Sequence, residues 1–184
     1  MNKPALLLSL LLVPGWASAQ SASPPQVVVH GTVTTSSGDH PAWFTLMCTQ
    51  GAGGALSVQF MLVAETAPDF PFDSFEGPRA PASFRPSATL KVGHRSFASS
   101  AVAGWYGGDM PGAFVFGIAS TPGSSAAINQ VAAALSKPGA TLDWVQQSNN
   151  FQTPPILAHF APNAAQTSLL KRIASPCLPR AERR

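Results

Sequence analysis

The sequence predicts a mainly β fold of the α+β class: an antiparallel sheet or β-sandwich with two short helices in its C-terminal third. Three observations predict it. Up to residue 119 the apolar residues alternate with polar ones, or run in short β-branched and aromatic blocks separated by Gly, Ser and Pro clusters. After that point the apolar period changes to the helical one, twice. The pair Cys48 and Cys177 joins an early strand to the end of the chain, the staple expected of an exported domain.

The elements follow in order. Residues 1–19 read as a secretory signal peptide. Lys3 charges the start, ALLLSLLLV forms a short apolar run, and Ala17-Ser18-Ala19 offers small residues before a cleavage point. Cleavage there leaves a chain starting at Gln20. No later segment reaches the roughly 18 apolar residues of a spanning helix, so no membrane anchor is expected once the signal is removed. Residues 20–178 form one exported domain, and 179–184 a disordered basic tail.

Within the domain, QVVVHGTVTT is a strand because β-branched residues dominate it, and Gly31 marks a candidate bulge. SSGDHP is a turn cluster. AWFTLMC and ALSVQFMLVA form a hairpin around a glycine turn. Leu56, Val58, Phe60 and Leu62 share one face of the second of these strands. The prolines of residues 68–81 forbid a helix and a central strand, so that stretch is a stiff loop. SATLKVG, RSFASSAVAGWY and AFVFGIAS read as strands, the last with Phe114, Phe116 and Ile118 on one side. Ile128, Val131, Ala132 and Leu135 then make a helical stripe, with Ser124 or Ser125 as its cap and Pro138-Gly139 as its stop. ATLDWVQQ and PPILAHFA are strands. NAAQTSLLKRIA is a second helix, with Asn163 and Gln166 in capping-box spacing and Lys171 and Arg172 where the helix dipole favours cations.

Composition narrows the function classes. Charged residues are 10% of the chain, against about 25% in an ordinary globular protein. The formal charge of +3 comes from Lys3 and the PRAERR tail. Between them Arg79, Arg85, Lys91, Arg95, Lys137, Lys171 and Arg172 balance Asp39, Glu65, Asp69, Asp73, Glu76, Asp109 and Asp143. No basic stripe marks a nucleic-acid reader. His30, His40, His94 and His159 show no metal-ligand spacing, and no His–carboxylate cluster is visible. There is no G-x-S-x-G elbow, and GAGGAL lacks the Lys and Ser/Thr of a phosphate loop. No cofactor and no metal is expected.

Two stretches are candidate contact sites. PDFPFDSFEGPRAP interleaves Asp69, Asp73 and Glu76 with Phe70, Phe72 and Phe75. Aromatics beside charges on a proline-stiffened loop lose little entropy on binding a partner. The plain alternative is a loop whose phenylalanines tuck into the core while the acids stay wet. Trp105 and Tyr106 precede a glycine turn carrying Asp109 and Met110, and form a second aromatic platform or a strand rim.

The stretch from Ala127 to Cys177 carries one resemblance. Leu135, Gly139, Leu142, Phe160, Leu169 and Cys177 fill a pattern that resembles the tail of exported bacterial proteins of the invasion-associated locus B type. In that tail a short helix with a glycine stop leads to two strands and a small helix ending near a cysteine. The resemblance implies a β-sandwich-like periplasmic protein and carries over no functional residues.

Together these features describe a non-enzymatic periplasmic or secreted module that binds a protein or envelope partner, in the manner of an inhibitor, immunity factor or accessory subunit. The rival readings are a small envelope hydrolase using Asp69, Asp73 and Glu76, and a structural envelope protein. The sequence does not define an oligomeric state.

Overall fold

The computed structural model describes residues 25–49, 54–76, 79–107, 111–120 and 126–179. The predicted signal peptide, residues 50–53 of the glycine turn, Asp109, Met110, the caps Ser124 and Ser125, and tail residues 180–184 lie outside them. Ten strands form one sheet: β1 Gln26–Thr35, β2 Gly38–Thr49, β3 Ala55–Val63, β4 Ser87–Val92, β5 Arg95–Ser96, β6 Ser100–Ala101, β7 Ala103–Tyr106, β8 Ala113–Ala119, β9 Leu142–Gln146 and β10 Ile156–Phe160. Helix α1 is Ala126–Leu135 and α2 is Ala164–Ala174. The fold is mainly β, with antiparallel pairing throughout and both helices in the C-terminal part.

The sheet runs β5-β4-β9-β10-β1-β2-β3-β8-β7, with β6 also paired to β4. One chain segment therefore touches both ends. Ala101 pairs with Ser87 on β4, while Ala103 pairs with Gly117 on β8. Only Val102 separates these two pairings; it is buried and its N–H donates to the Pro86 carbonyl at 3.0 Å. The sheet must curl to make this join, and its interior shows how far. Phe60 on β3 and Trp144 on β9 are four strand spacings apart along the sheet, about 19 Å if it were flat. Their ring centroids are 5.9 Å apart.

The inward positions of every long strand fill this curl. Phe44, Phe60, Phe116, Phe160 and Trp144 are buried there, in one continuous core with the apolar stripes of both helices. Ile128, Val131, Ala132 and Leu135 of α1 are all buried, as the helical period predicts. In α2 the capping box is complete: Asn163 accepts from the Gln166 N–H, and Gln166 Oε1 accepts from the Asn163 N–H.

Connectivity divides the molecule into two ends. The connections through α1 and α2 leave from the ends of β8 and β10, so both helices close the end where β1 and β3 begin. The disulfide Cys48–Cys177 lies at that end, with Cα atoms 6.0 Å apart. The β1–β2 turn, the long β3–β4 loop, the β7–β8 turn and the β9–β10 loop all emerge at the opposite end, and the candidate loop stretch is there.

Three expectations change. Gly31 is not a bulge: it pairs in register with Ala42 and Phe160. Glycine stands there because an added Cβ would collide with the His159 carbonyl and the Phe160 ring. The turn at 36–41 shrinks to Ser36 and Ser37, with Gly38 in the positive-φ region, and Asp39, His40 and Pro41 enter β2. Pro41 is tolerated in the strand because β3 pairs with β2 only from Trp43 onward. The stretch 95–106 is three short strands, not one, because it serves β4 at one end of the sheet and β8 at the other.

Candidate functional site

The acidic–aromatic loop is held from within. Phe70 and Phe75 are buried, and Phe70 stacks on Phe75 at 5.6 Å and meets Phe116 at 6.3 Å. Phe72 is half-buried between Phe114 at 5.2 Å and Tyr106 at 6.4 Å. The phenylalanines thus close the loop end of the core. A buried polar chain fastens them: the Trp144 indole N–H donates to Gln146 Oε1 at 3.1 Å, and Gln146 Nε2 donates to the Phe75 carbonyl at 3.0 Å.

The three carboxylates have three different partners. Asp73 accepts from the Arg79 backbone N–H at 3.0 Å and from Arg79 Nε at 2.7 Å. Glu76 takes φ 149°, a region most side chains avoid. Its side chain lies against the bare backbone of Gly104, where a Cβ would strike it. Burial raises the Glu76 pKa, opposed by the hydrogen bond from the Gly104 backbone and by the charge of Arg85. Asp69 is exposed; the Ser37 hydroxyl bound to it holds its pKa below the usual carboxylate value, with His40 adding to the effect.

Trp105 and Tyr106 separate. Tyr106 pairs with Phe114 and packs edge-on to its ring at 4.8 Å, joining the loop cluster. Trp105 pairs with Val115 on the outer face of the sheet, and its indole lies across Gly117. Alternation along β7 sends adjacent residues to opposite faces, so the predicted platform divides into two surfaces.

Beside the loop is a pocket of about 410 Å³, lined by residues 34–36, 69–71 with Phe75, and 152–156. That volume is in the range of small-ligand sites. Its third wall, the β9–β10 loop, was not singled out from the sequence. This loop is tied to the acidic–aromatic loop: the Asn149 N–H donates to the Ser74 carbonyl at 2.8 Å, and Asn149 Nδ2 to the Asp73 carbonyl at 3.2 Å. An Asx turn, Gln152 N–H to Asn150 Oδ1 at 3.0 Å, shapes its tip. Phe151 on that tip is 108% exposed, more open than in an extended reference peptide. The available signal was Asn-Asn followed by Phe and then Pro-Pro, a rigid turn presenting an aromatic.

The structure also places two histidines singly beside carboxylates, which the sequence spacing does not show. His40 Nε2 lies 3.7 Å from Asp69, and His159 Nδ1 lies 2.6 Å from Asp143 across β10 and β9. The first pair is 29 positions apart in sequence, but the β2–β3 register brings the start of β2 beside the chain leaving β3. Among the described residues, no group of three or more His, Cys, Asp or Glu side chains converges as a metal site. No described helix is long and apolar enough to cross a membrane.

The chain matches no protein-family model, no curated protein and no solved structure.

Proposed function

We propose that this chain is an exported, periplasmic or secreted module that binds another protein through the loop end of its curled sheet. The observation that carries the reading is Phe151, a fully exposed aromatic on a hydrogen-bonded turn at the edge of the pocket. An aromatic left in water is unfavourable for an isolated molecule and useful as an anchor, because its apolar area is removed from water only when a partner covers it. The turn is already fixed by Asn149 and Asn150, so little ordering entropy opposes association. The disulfide supports export, since such bonds persist in oxidising compartments.

A photo-cross-linking amino acid placed at position 151 tests the reading in cells that express the chain, with the same group at exposed His94 as the control. The expected result is one discrete adduct from position 151, none from position 94, and a mature chain in the periplasm starting at Gln20. Equal, diffuse labelling from both positions overturns the binding reading, and retention in the cytosol overturns export.

A further inference from the structure

The turn joining β1 to β2 carries an arrangement that partner binding does not use. His40 Nδ1 lies 3.0 Å from the Thr66 carbonyl. A carbonyl only accepts, so Nδ1 carries the proton, and in the neutral ring Nε2 is left as the acceptor. Nε2 lies 2.9 Å from Ser37 Oγ and 3.0 Å from Thr35 Oγ1. The Thr35 hydroxyl donates to the Gly38 carbonyl at 3.1 Å, so the Ser37 hydroxyl is the one free to turn its proton toward Nε2, in competition with Thr35 Oγ1 at 2.9 Å and the carboxylate of Asp69. The imidazole is mostly buried, with its side chain 16% exposed, while Ser37 is open to solvent. A hydroxyl on a base whose other nitrogen is fixed by a third group is the arrangement that activates a nucleophile. Ser36 and Asp69 line the 410 Å³ pocket, and Ser37 is the next residue after Ser36, at the pocket's rim.

We propose that Ser37 is a nucleophile, with His40 as its general base, that accepts the acyl group of an ester whose apolar acyl part lies in the pocket against Phe70 and Phe75. In the first step Ser37 Oγ bonds to the ester carbonyl carbon and its proton passes to His40 Nε2. The bond from that carbon to the alcohol oxygen then breaks, and the alcohol leaves with the proton from Nε2. Water attacks the acyl-serine in the same way, giving its proton to Nε2, and the carboxylic acid is released as Ser37 recovers its hydrogen. The Thr66 carbonyl is a positioning group that keeps Nε2 free. The chemistry is distinct from the carboxylate-only hydrolysis considered from the sequence, since the nucleophile is a hydroxyl and the base an imidazole.

The test is covalent labelling of the full chain with a fluorophosphonate probe, read by mass spectrometry of the modified peptide. Ser37 is expected to carry the label. Ser37→Ala abolishes it, and His40→Gln slows it about hundredfold, the usual contribution of a general base. Ser96→Ala, on β5 away from the pocket, labels at the wild-type rate. Because His40→Gln could lose the turn as well as the base, its circular-dichroism melt is compared with that of Ser37→Ala. If the His40→Gln fold is lost, the position of the label and the Ser37→Ala result decide alone. Labelling at any other serine, or no labelling of the wild type, overturns the proposal.

Discussion

Gln146 reaches from the inside of β9 to the Phe75 carbonyl, and this single 3.0 Å hydrogen bond joins the acidic–aromatic loop to the interior of the sheet. The side chain is wholly buried, and its oxygen is satisfied by Trp144. Gln146→Leu removes the donor and the acceptor together, leaving the Phe75 carbonyl and the Trp144 N–H without their partner. Each buried group left unsatisfied costs about 1–3 kcal/mol. The variant is expected to unfold at a lower urea midpoint, and its amides at 73–76 and at Asn149 are expected to exchange faster than those of β2 and β3. Uniform acceleration of exchange across the chain would instead mean that Gln146 serves the core and not the loop.

The contrast between these two residues shows what was legible in the sequence. Strand and helix content was legible, because the alternation in Leu56-Val58-Phe60-Leu62 and the stripe Ile128-Val131-Ala132-Leu135 are local, and each set is buried together. The Cys48–Cys177 bond was legible from compartment and parity. The curl was not, since it depends on β6 and β7 pairing with strands at opposite ends of the sheet. The site was half legible. The loop was found, but three phenylalanines beside three acids do not say which of them face inward. His40 with Asp69 and Phe151 with the pocket are products of register and of loop crossing, which no local pattern encodes.

Gly31 gives a packing prediction. Its missing side chain makes room for the Phe160 ring and the His159 carbonyl of the neighbouring strand. Gly31→Ala forces β1 and β10 apart where both border the core. Overpacking of this kind costs about 1–3 kcal/mol and sometimes more. Calorimetry is expected to show a lower melting temperature for Gly31→Ala. The same substitution at Gly93, where nothing lies within 4 Å, costs only the strain of its φ of 56° and should be milder. Equal losses at both positions would argue against the Phe160 contact as the cause.

The disulfide ties the chain end after α2 to the end of strand β2, across a sequence separation of 129. The chain-entropy model gives about 5 kcal/mol for a loop of that size, and loss of a native bridge usually costs about 2–5 kcal/mol. Cys48→Ala/Cys177→Ala is expected to melt well below the oxidised wild type, and reduction of the wild type is expected to bring its melting temperature toward that of the variant. A double variant as stable as the oxidised chain would show that α2 docks through Leu170, Ile173 and Ala174 alone.

Two carboxylates give opposite pH signatures. Burial raises the Glu76 pKa above its ordinary 4.5. The folded state therefore holds this proton to higher pH than the unfolded state. Its contribution to stability is fully present in acid and is lost as pH rises through the raised value. Asp69 is shifted the other way by the Ser37 hydroxyl, from an ordinary 3.8. Its contribution is present above that value and is lost as pH falls through the lowered one. Glu76→Gln keeps an acceptor for the Gly104 N–H and removes the charge. Relative to wild type it is expected to gain stability as pH rises from about 4 to 6, a range spanning ordinary carboxylate titration. Asp69→Asn is expected to differ from wild type at neutral pH and to converge on it in strong acid. Urea midpoints measured for Glu76→Gln across that range, and for Asp69→Asn from neutral pH down into strong acid, check both signs, and a Glu76→Gln difference that shrinks as pH rises would contradict the burial of that carboxyl.

Phe151 separates binding from stability. Its ring contributes nothing to the core, because it is fully exposed and the turn beneath it is built from Asn149 and Asn150. Phe151→Ser should therefore leave the urea midpoint within the roughly 0.5 kcal/mol typical of surface changes. If the ring is the anchor of a partner interface, the same substitution removes a contact of the central aromatic kind, worth about 2 kcal/mol or more, and affinity falls about thirtyfold. With the photo-cross-linker moved to Gln152, adduct yield at limiting partner concentration follows that loss. A Phe151→Ser chain that is equally stable and cross-links as well as wild type would show that the exposed ring is incidental. A chain that loses stability would show instead that the ring supports the turn.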